Sequence, residues 1–158
     1  MSDFMQAGNI STFHHLKTKT EKDLENEIKA FCTHRPISLV IPCLFSELEK
    51  PALANIIREL SKIEYLTEII IGLDRASKKE FNYARQYFSN LKQKHTILWH
   101  DGPKLQTMDK ELAKNNLAPP EPGKGRNVWY CFGYALASRR SEIVALHDAD
   151  IVTYKKEM

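Results

Sequence analysis

Cysteine is scarce in this chain and never spaced for pairing. Cys32, Cys43 and Cys131 are odd in number and form no CxxC, which excludes a disulfide framework and a zinc ribbon and points to reduced thiols in a cytosolic protein. Long apolar runs are also missing: none approaches the roughly 18 residues of a membrane span. The polar N-terminus has no hydrophobic signal region, so a soluble, cytoplasmic chain without a membrane partner is expected. Charge of one sign does not dominate. The formal net charge of +3 comes without a dense basic stripe, and nucleic acid is not an expected partner. The P-loop pattern GxxxxGK[ST] is absent as well.

What remains is an ordinary globular composition, 42% hydrophobic and 27% charged, in a length that suits one domain with a real core. Residues 1 to about 19 carry Gly, Ser, Thr, Asn and the pair His14-His15 without periodicity and read as a loose arm. Leu24, Ile28 and Phe31 then recur at helical spacing behind Thr20, a good N-cap. Residues 1–36 are accordingly an arm with a short helix, and residues 37–158 the functional domain.

Within that domain, residues 37–41 form an apolar, β-branched run that stops at Pro42, as a buried strand does. A helix is expected over 48–63, with Leu53, Ile56, Ile57 and Leu60 in one stripe and Pro51 in the first turn. A second strand, 68–73, ends at Asp74. Ser77-Lys78-Lys79-Glu80 is a capping box opening a helix that points Phe81, Ala84, Phe88 and Leu91 inward. A third strand covers 95–99. Residues 101–124, with Gly102, Pro103, Pro119, Pro120, Pro122 and Gly123, read as a long irregular stretch. A helix over 127–138 follows, its Trp129, Tyr130, Phe132 and Tyr134 read as mostly core. A fourth strand, 142–146, runs into His147-Asp148-Ala149-Asp150.

Strands alternating with helices over short connections imply right-handed crossovers and a mainly parallel α/β sheet covered on both faces. Ligands of such sheets bind outside the carboxyl ends of the strands. Pro42-Cys43-Leu44, Asp74-Arg75 and Asp148-Ala149-Asp150 each follow an apolar run directly, so one edge collects the unusual residues. On an extended backbone Asp148 and Asp150 would point to one side, and their hard oxygens suit Mg²⁺ or Mn²⁺ bridged to a phosphate; capping of a following turn is the alternative. Gly123-Lys124-Gly125 before a helix would let phosphate approach the backbone, with Lys124 adding charge, or is a plain exposed turn. Asp74 either accepts hydrogen bonds from a base or ribose or caps the Ser77 helix. His147 reads as a hydrogen-bonded structural histidine, and His100-Asp101 as no acid/base pair, since adjacent strand side chains point apart.

Taken together, the strand ending in Pro42-Cys43-Leu44, the one ending in Asp74, the Gly-Lys-Gly turn and the Asp-x-Asp strand end resemble GT-A glycosyltransferases. More narrowly, Gly123-Lys124-Gly125 followed by 147–154 resembles the glucosyl-3-phosphoglycerate synthase and mannosylglycerate synthase families. The resemblance implies a GT-A (Rossmann-like) fold and metal-dependent, retaining transfer of a hexose from a UDP- or GDP-sugar to a small acceptor such as 3-phosphoglycerate or glycerate. By position it implies that Pro42, Cys43 and Leu44 line the base and ribose pocket, that Asp74 bonds the base and that Lys124 faces the diphosphate. Asp148 and Asp150 would hold the metal and ribose, and Glu47 is a less direct equivalent, because Leu44-Phe45-Ser46-Glu47 stands where those enzymes have an Asn-Glu-Glu run. No catalytic nucleophile is named.

A GT-A domain continues past its DxD with acceptor-binding elements, so the chain is expected to be truncated after the DxD strand, to bind donor without transferring sugar, and to self-associate through uncovered apolar surface. The alternative from another class is a non-catalytic remnant or interaction module. A sugar-phosphate nucleotidyltransferase fits less well, since such enzymes carry a Gly-rich loop after the first strand and residues 42–49 contain no glycine.

Overall fold

Thr20 starts the first helix by a reciprocal pair of bonds: its hydroxyl accepts the Asp23 N–H and the Asp23 carboxylate accepts the Thr20 N–H. The computed structural model describes residues 19–119 and 121–157; the expected arm, His14-His15 included, lies outside them apart from Lys19. In order the elements are α1 (Glu21–Cys32), β1 (Ile37–Leu44), a short 3-10 helix (Phe45–Glu49), α2 (Pro51–Leu60), β2 (Leu66–Asp74), α3 (Lys78–Phe88), β3 (His95–Trp99), α4 (Pro103–Lys114), α5 (Lys124–Ser138) and β4 (Ile143–Leu146). No helix of the described residues is long and apolar enough to cross a membrane.

All strand pairs are parallel, in the order β3-β2-β1-β4. The chain lays down β1, β2 and β3 in one direction, then returns to place β4 on the other side of β1. The order therefore reverses between β1 and β4, and that reversal opens a crevice at their carboxyl ends. Alternation along the strands splits the core in two. Leu39, Ile41, Ile69 and Ile71 pack with Leu53, Ile56 and Leu60 of α2 and Ala84 and Phe88 of α3, while Val40 and Ile70 meet Cys131 and Ala135 of α5 on the opposite face.

Five details depart from the sequence reading. β1 continues through Pro42, which pairs with Gly72 of β2. Val40 C=O accepts the His147 N–H, so position 42, two residues on, turns its missing N–H toward the β4 side, past the last β4 pair, where no ladder bond is lost. The stretch 101–124 is not irregular throughout: Gly102 and Pro103 start α4. α5 begins at Lys124, so the Gly-Lys-Gly turn is largely its first turn. Trp129 and Phe132 are 44% and 39% exposed, whereas Tyr130 is buried. The chain also turns at Ala149 and Asp150 rather than remaining extended.

One buried charge was not foreseen. Glu68 of β2 is fully buried on the α5 face. Its carboxylate accepts bonds from Thr96 Oγ1 (2.6 Å), Tyr134 OH (3.1 Å) and Arg140 Nη1 (2.9 and 3.1 Å). Burial pushes the carboxyl pKa up, but the bonds from Thr96, Arg140 and Tyr134 outweigh it and hold the group below its ordinary value. A lowered folded pKa contributes stability that is present above the unfolded value and lost as pH falls through the folded one. Arg140→Ala should cost about 2 kcal/mol at pH 7, less than a fully buried broken pair, because two hydroxyl donors remain. Burial then prevails, so the variant's deficit should narrow as pH falls from 7 to 5. Urea unfolding at both pH values checks this, and a deficit constant with pH would show that Arg140 does not hold the charge.

Candidate nucleotide-binding cleft

The crevice between β1 and β4 is a cleft of about 210 Å³. It gathers all eight residues singled out above: Pro42, Cys43 and Leu44 from the end of β1, Glu47 from the 3-10 turn, Asp74 from the end of β2, Lys124 from α5, and Asp148 and Asp150 beyond β4. Four separate segments meet there because three parallel strands end on one edge and α5 starts beside them.

Its two ends differ chemically. At the β4 side Ala149 is buried between the two aspartates, which anchors the turn while both carboxylates line the cleft. Lys124 Nζ lies 2.5 Å from Asp148 Oδ1. Gly123 precedes it at φ 145°, backbone that only glycine adopts without strain, and so admits the chain into α5 with its first N–H groups, which lack helical partners, near the cleft. Arg126, two residues on, turns away to Asp109 Oδ2 at 2.8 Å and ties α5 to α4. At the β2 side Asp74 Oδ1 accepts the Arg75 N–H at 2.9 Å. Ser77 caps α3 with its own hydroxyl, so Asp74 is not that helix's cap. Glu47 accepts from Lys50 at 2.9 Å through Oε1, while its Oε2 is buried with no partner.

Potential nucleophiles are quiet. Burial pushes the Cys43 thiol up to about 12 and it donates to Leu44 O, so it is a neutral wall. His147 Nδ1 is 2.8 Å from Tyr154 OH, as expected of a structural histidine, and burial lowers its pKa against the pull of Asp148. His100 is buried, whereas Asp101 accepts the Ala76 N–H, so these two form no acid/base pair. Among the described residues no three His, Cys, Asp or Glu side chains converge as a metal cluster.

Of two further lining residues, Asn127 escaped the sequence reading and Arg75 was placed at this edge without a role. Asn127 is buried and donates from Nδ2 to Gly72 O at 2.7 Å; the glycine inside an Ile-rich strand was its signal, since such a glycine marks a close approach. Arg75, at φ 55°, had no signal beyond its place after Asp74.

A parallel α/β sheet with its cleft at the β1/β4 reversal is a GT-A-like, Rossmann-type architecture. The chain matches the crystal structure of glucosyl-3-phosphoglycerate synthase from Mycobacterium tuberculosis in complex with Mn²⁺, UDP and glucosyl-3-phosphoglycerate, with a TM-score of 0.54 and 20% identity over 92% of this chain and 42% of that one. No protein-family model matches. Glucosyl-3-phosphoglycerate synthases from Persephonella marina and Methanococcoides burtonii are 39% and 34% identical over 158 and 157 residues, or 100% and 99% of the chain. The chain spans about two fifths of the length of these relatives, 39% and 38%. It is a GT-A-like protein related along its whole length to the glucosyl-3-phosphoglycerate synthases, as its motifs suggested.

Proposed function

We propose that the cleft holds the nucleoside diphosphate of a UDP- or GDP-hexose together with Mg²⁺ or Mn²⁺, and that the chain is the donor-binding part of a retaining glycosyltransferase whose acceptor is a small phosphorylated or free glycerate. The observation that carries this reading is the convergence of Lys124, Asp148 and Asp150 at one end of a cleft whose other end is lined by Pro42, Leu44 and Asp74. That arrangement offers a phosphate end and a base end.

The residues fit a divalent cation of one kind. Two carboxylates without a third protein ligand suit an ion that keeps waters and takes its remaining ligands from substrate phosphate. Such an ion would act as a Lewis acid and template for the departing diphosphate. Lys124 would add a charge to the same oxygens, and the α5 N–H groups would orient them. A Cβ at position 125 would meet no protein atom, so packing does not require the glycine there, whereas close approach of a ligand would. Asp74 would accept from the base and Glu47 Oε2 from a sugar hydroxyl. The M. tuberculosis enzyme binds Mn²⁺ and UDP, which favours a UDP-hexose as the first donor to test.

A thermal-shift screen of UDP- and GDP-hexoses with and without Mn²⁺ tests the donor side, followed by assay of hexose transfer to 3-phosphoglycerate and glycerate. One nucleotide should raise the melting temperature more with Mn²⁺ than with chelator. If none does, the cleft is not a nucleotide-sugar site.

A further inference from the structure

One ammonium lines the cleft and another is paired with a residue of its wall. Lys124 Nζ is bonded to Asp148 Oδ1 at 2.5 Å, and Lys50, bonded to Glu47 at 2.9 Å, is kept charged chiefly by Glu47 and more weakly by Asp150. A divalent cation on Asp148 would compete with the Lys124 ammonium for that carboxylate, and like charges so close repel strongly. Lys124 is free to leave. Its side chain is 60% exposed and that of Asp148 44%, and an ion pair so exposed contributes little net stability. Its helix start also has room, since neither Gly123 nor Gly125 has a protein atom where a Cβ would sit.

We propose that Lys124 is an exchange residue, bonded to Asp148 until a nucleoside diphosphate draws it onto phosphate, and that this transfer frees Asp148 for the divalent cation. The inference rests on the reading of the cleft given above and adds what that reading does not contain: Lys124 opposes the cation by itself and no longer competes with it once the diphosphate is present. Lys124 thereby couples the two ligands, and linkage requires each to raise the other's affinity by the same factor.

The test counts free Mn²⁺ by electron paramagnetic resonance for the wild type, Lys124→Met and Asp148→Asn. Each is titrated with Mn²⁺ alone, with Mn²⁺ plus UDP or GDP, and with Mn²⁺ plus uridine or guanosine. Lys124→Met lies at an exposed first helical turn, and circular dichroism checks its fold. It should bind Mn²⁺ alone about 1.5- to fivefold more tightly than the wild type, the range set by an exposed ion pair. It should bind the diphosphate at least about tenfold more weakly, because a charge-assisted bond to phosphate is lost, while its Mn²⁺ affinity at saturating diphosphate should match the wild type's, so the factor by which the diphosphate tightens Mn²⁺ shrinks. The nucleosides should change neither value, and Asp148→Asn should lose Mn²⁺ under every condition. Should Lys124→Met bind Mn²⁺ alone no better than the wild type while still losing affinity for the diphosphate, Lys124 serves phosphate only and the exchange is refuted. Should the wild type bind neither Mn²⁺ nor diphosphate, the reading of the cleft fails, and the exchange with it.

Discussion

In Asp150→Ala, the extra stabilisation that Mn²⁺ lends to a bound nucleoside diphosphate is expected to vanish. At about 100 times its dissociation constant, a ligand that binds only the folded state contributes about 2.7 kcal/mol. For a domain of this size that corresponds to a rise of about 5–10 °C in melting temperature. Asp150 is exposed and next to buried Ala149, so its removal should leave the unliganded protein within about 0.5 kcal/mol of the wild type. The variant should keep a smaller, metal-independent shift from the diphosphate, since Lys124 and the start of α5 remain. Differential scanning fluorimetry with Mn²⁺ and with chelator separates the two contributions. A metal increment of undiminished size in Asp150→Ala would remove this carboxylate from the metal site.

Gly72→Ala should be among the most damaging single-methyl additions to this chain. An added Cβ would lie 1.7 Å from Asn127 Oδ1 and 2.7 Å from Cys131 Sγ. Asn127 cannot retreat freely, because it is 3% exposed and its Nδ2 donates to the carbonyl of Gly72 itself. Overpacking costs about 1–3 kcal/mol, and a buried amide forced off its partner about 1–3 kcal/mol more. Relief of the glycine's backbone entropy offsets about 0.5–1 kcal/mol. We expect a net loss of about 3 kcal/mol in urea unfolding, together with weaker nucleotide binding, because Asn127 also lines the cleft. Asn127→Ala alone should cost less, and the double variant should lose less than the sum of the two, since the clash is then gone. Strict additivity would mean that the two side-chain positions do not meet.

Much of this architecture was legible because the signals were local. The β-branched runs before Cys43 and Asp74 bury on both faces of a parallel sheet, so each reads as apolar without alternation. The N-cap at Thr20 and the capping box at Ser77 are signals within four residues, and both form, Thr20 as a capping box too. Because parallel strands end on one edge, residues following those runs had to come near one another, which is why all eight candidates line one cleft.

Non-local choices were decided only by packing. α4 was hidden because Gly102-Pro103 has the composition of a loop, yet Pro103 sits where its missing N–H costs nothing. Its apolar positions give little further signal, since no α4 residue is fully buried. Pro42 remains within β1 because β4 stops two residues short of it, a fact about a strand a hundred residues away. The fit of Asn127 against Gly72 depends on how α5 lies across the sheet, and the Arg140–Glu68 bond on where α5 ends. The sequence by itself therefore determined the strands, their common direction and the edge at which chemistry gathers, because period and capping are short-range. Only the tertiary structure decided that β4 lies beside β1 and that Lys124 meets Asp148, because strand order and side-chain pairing are settled by contacts between segments that composition does not relate.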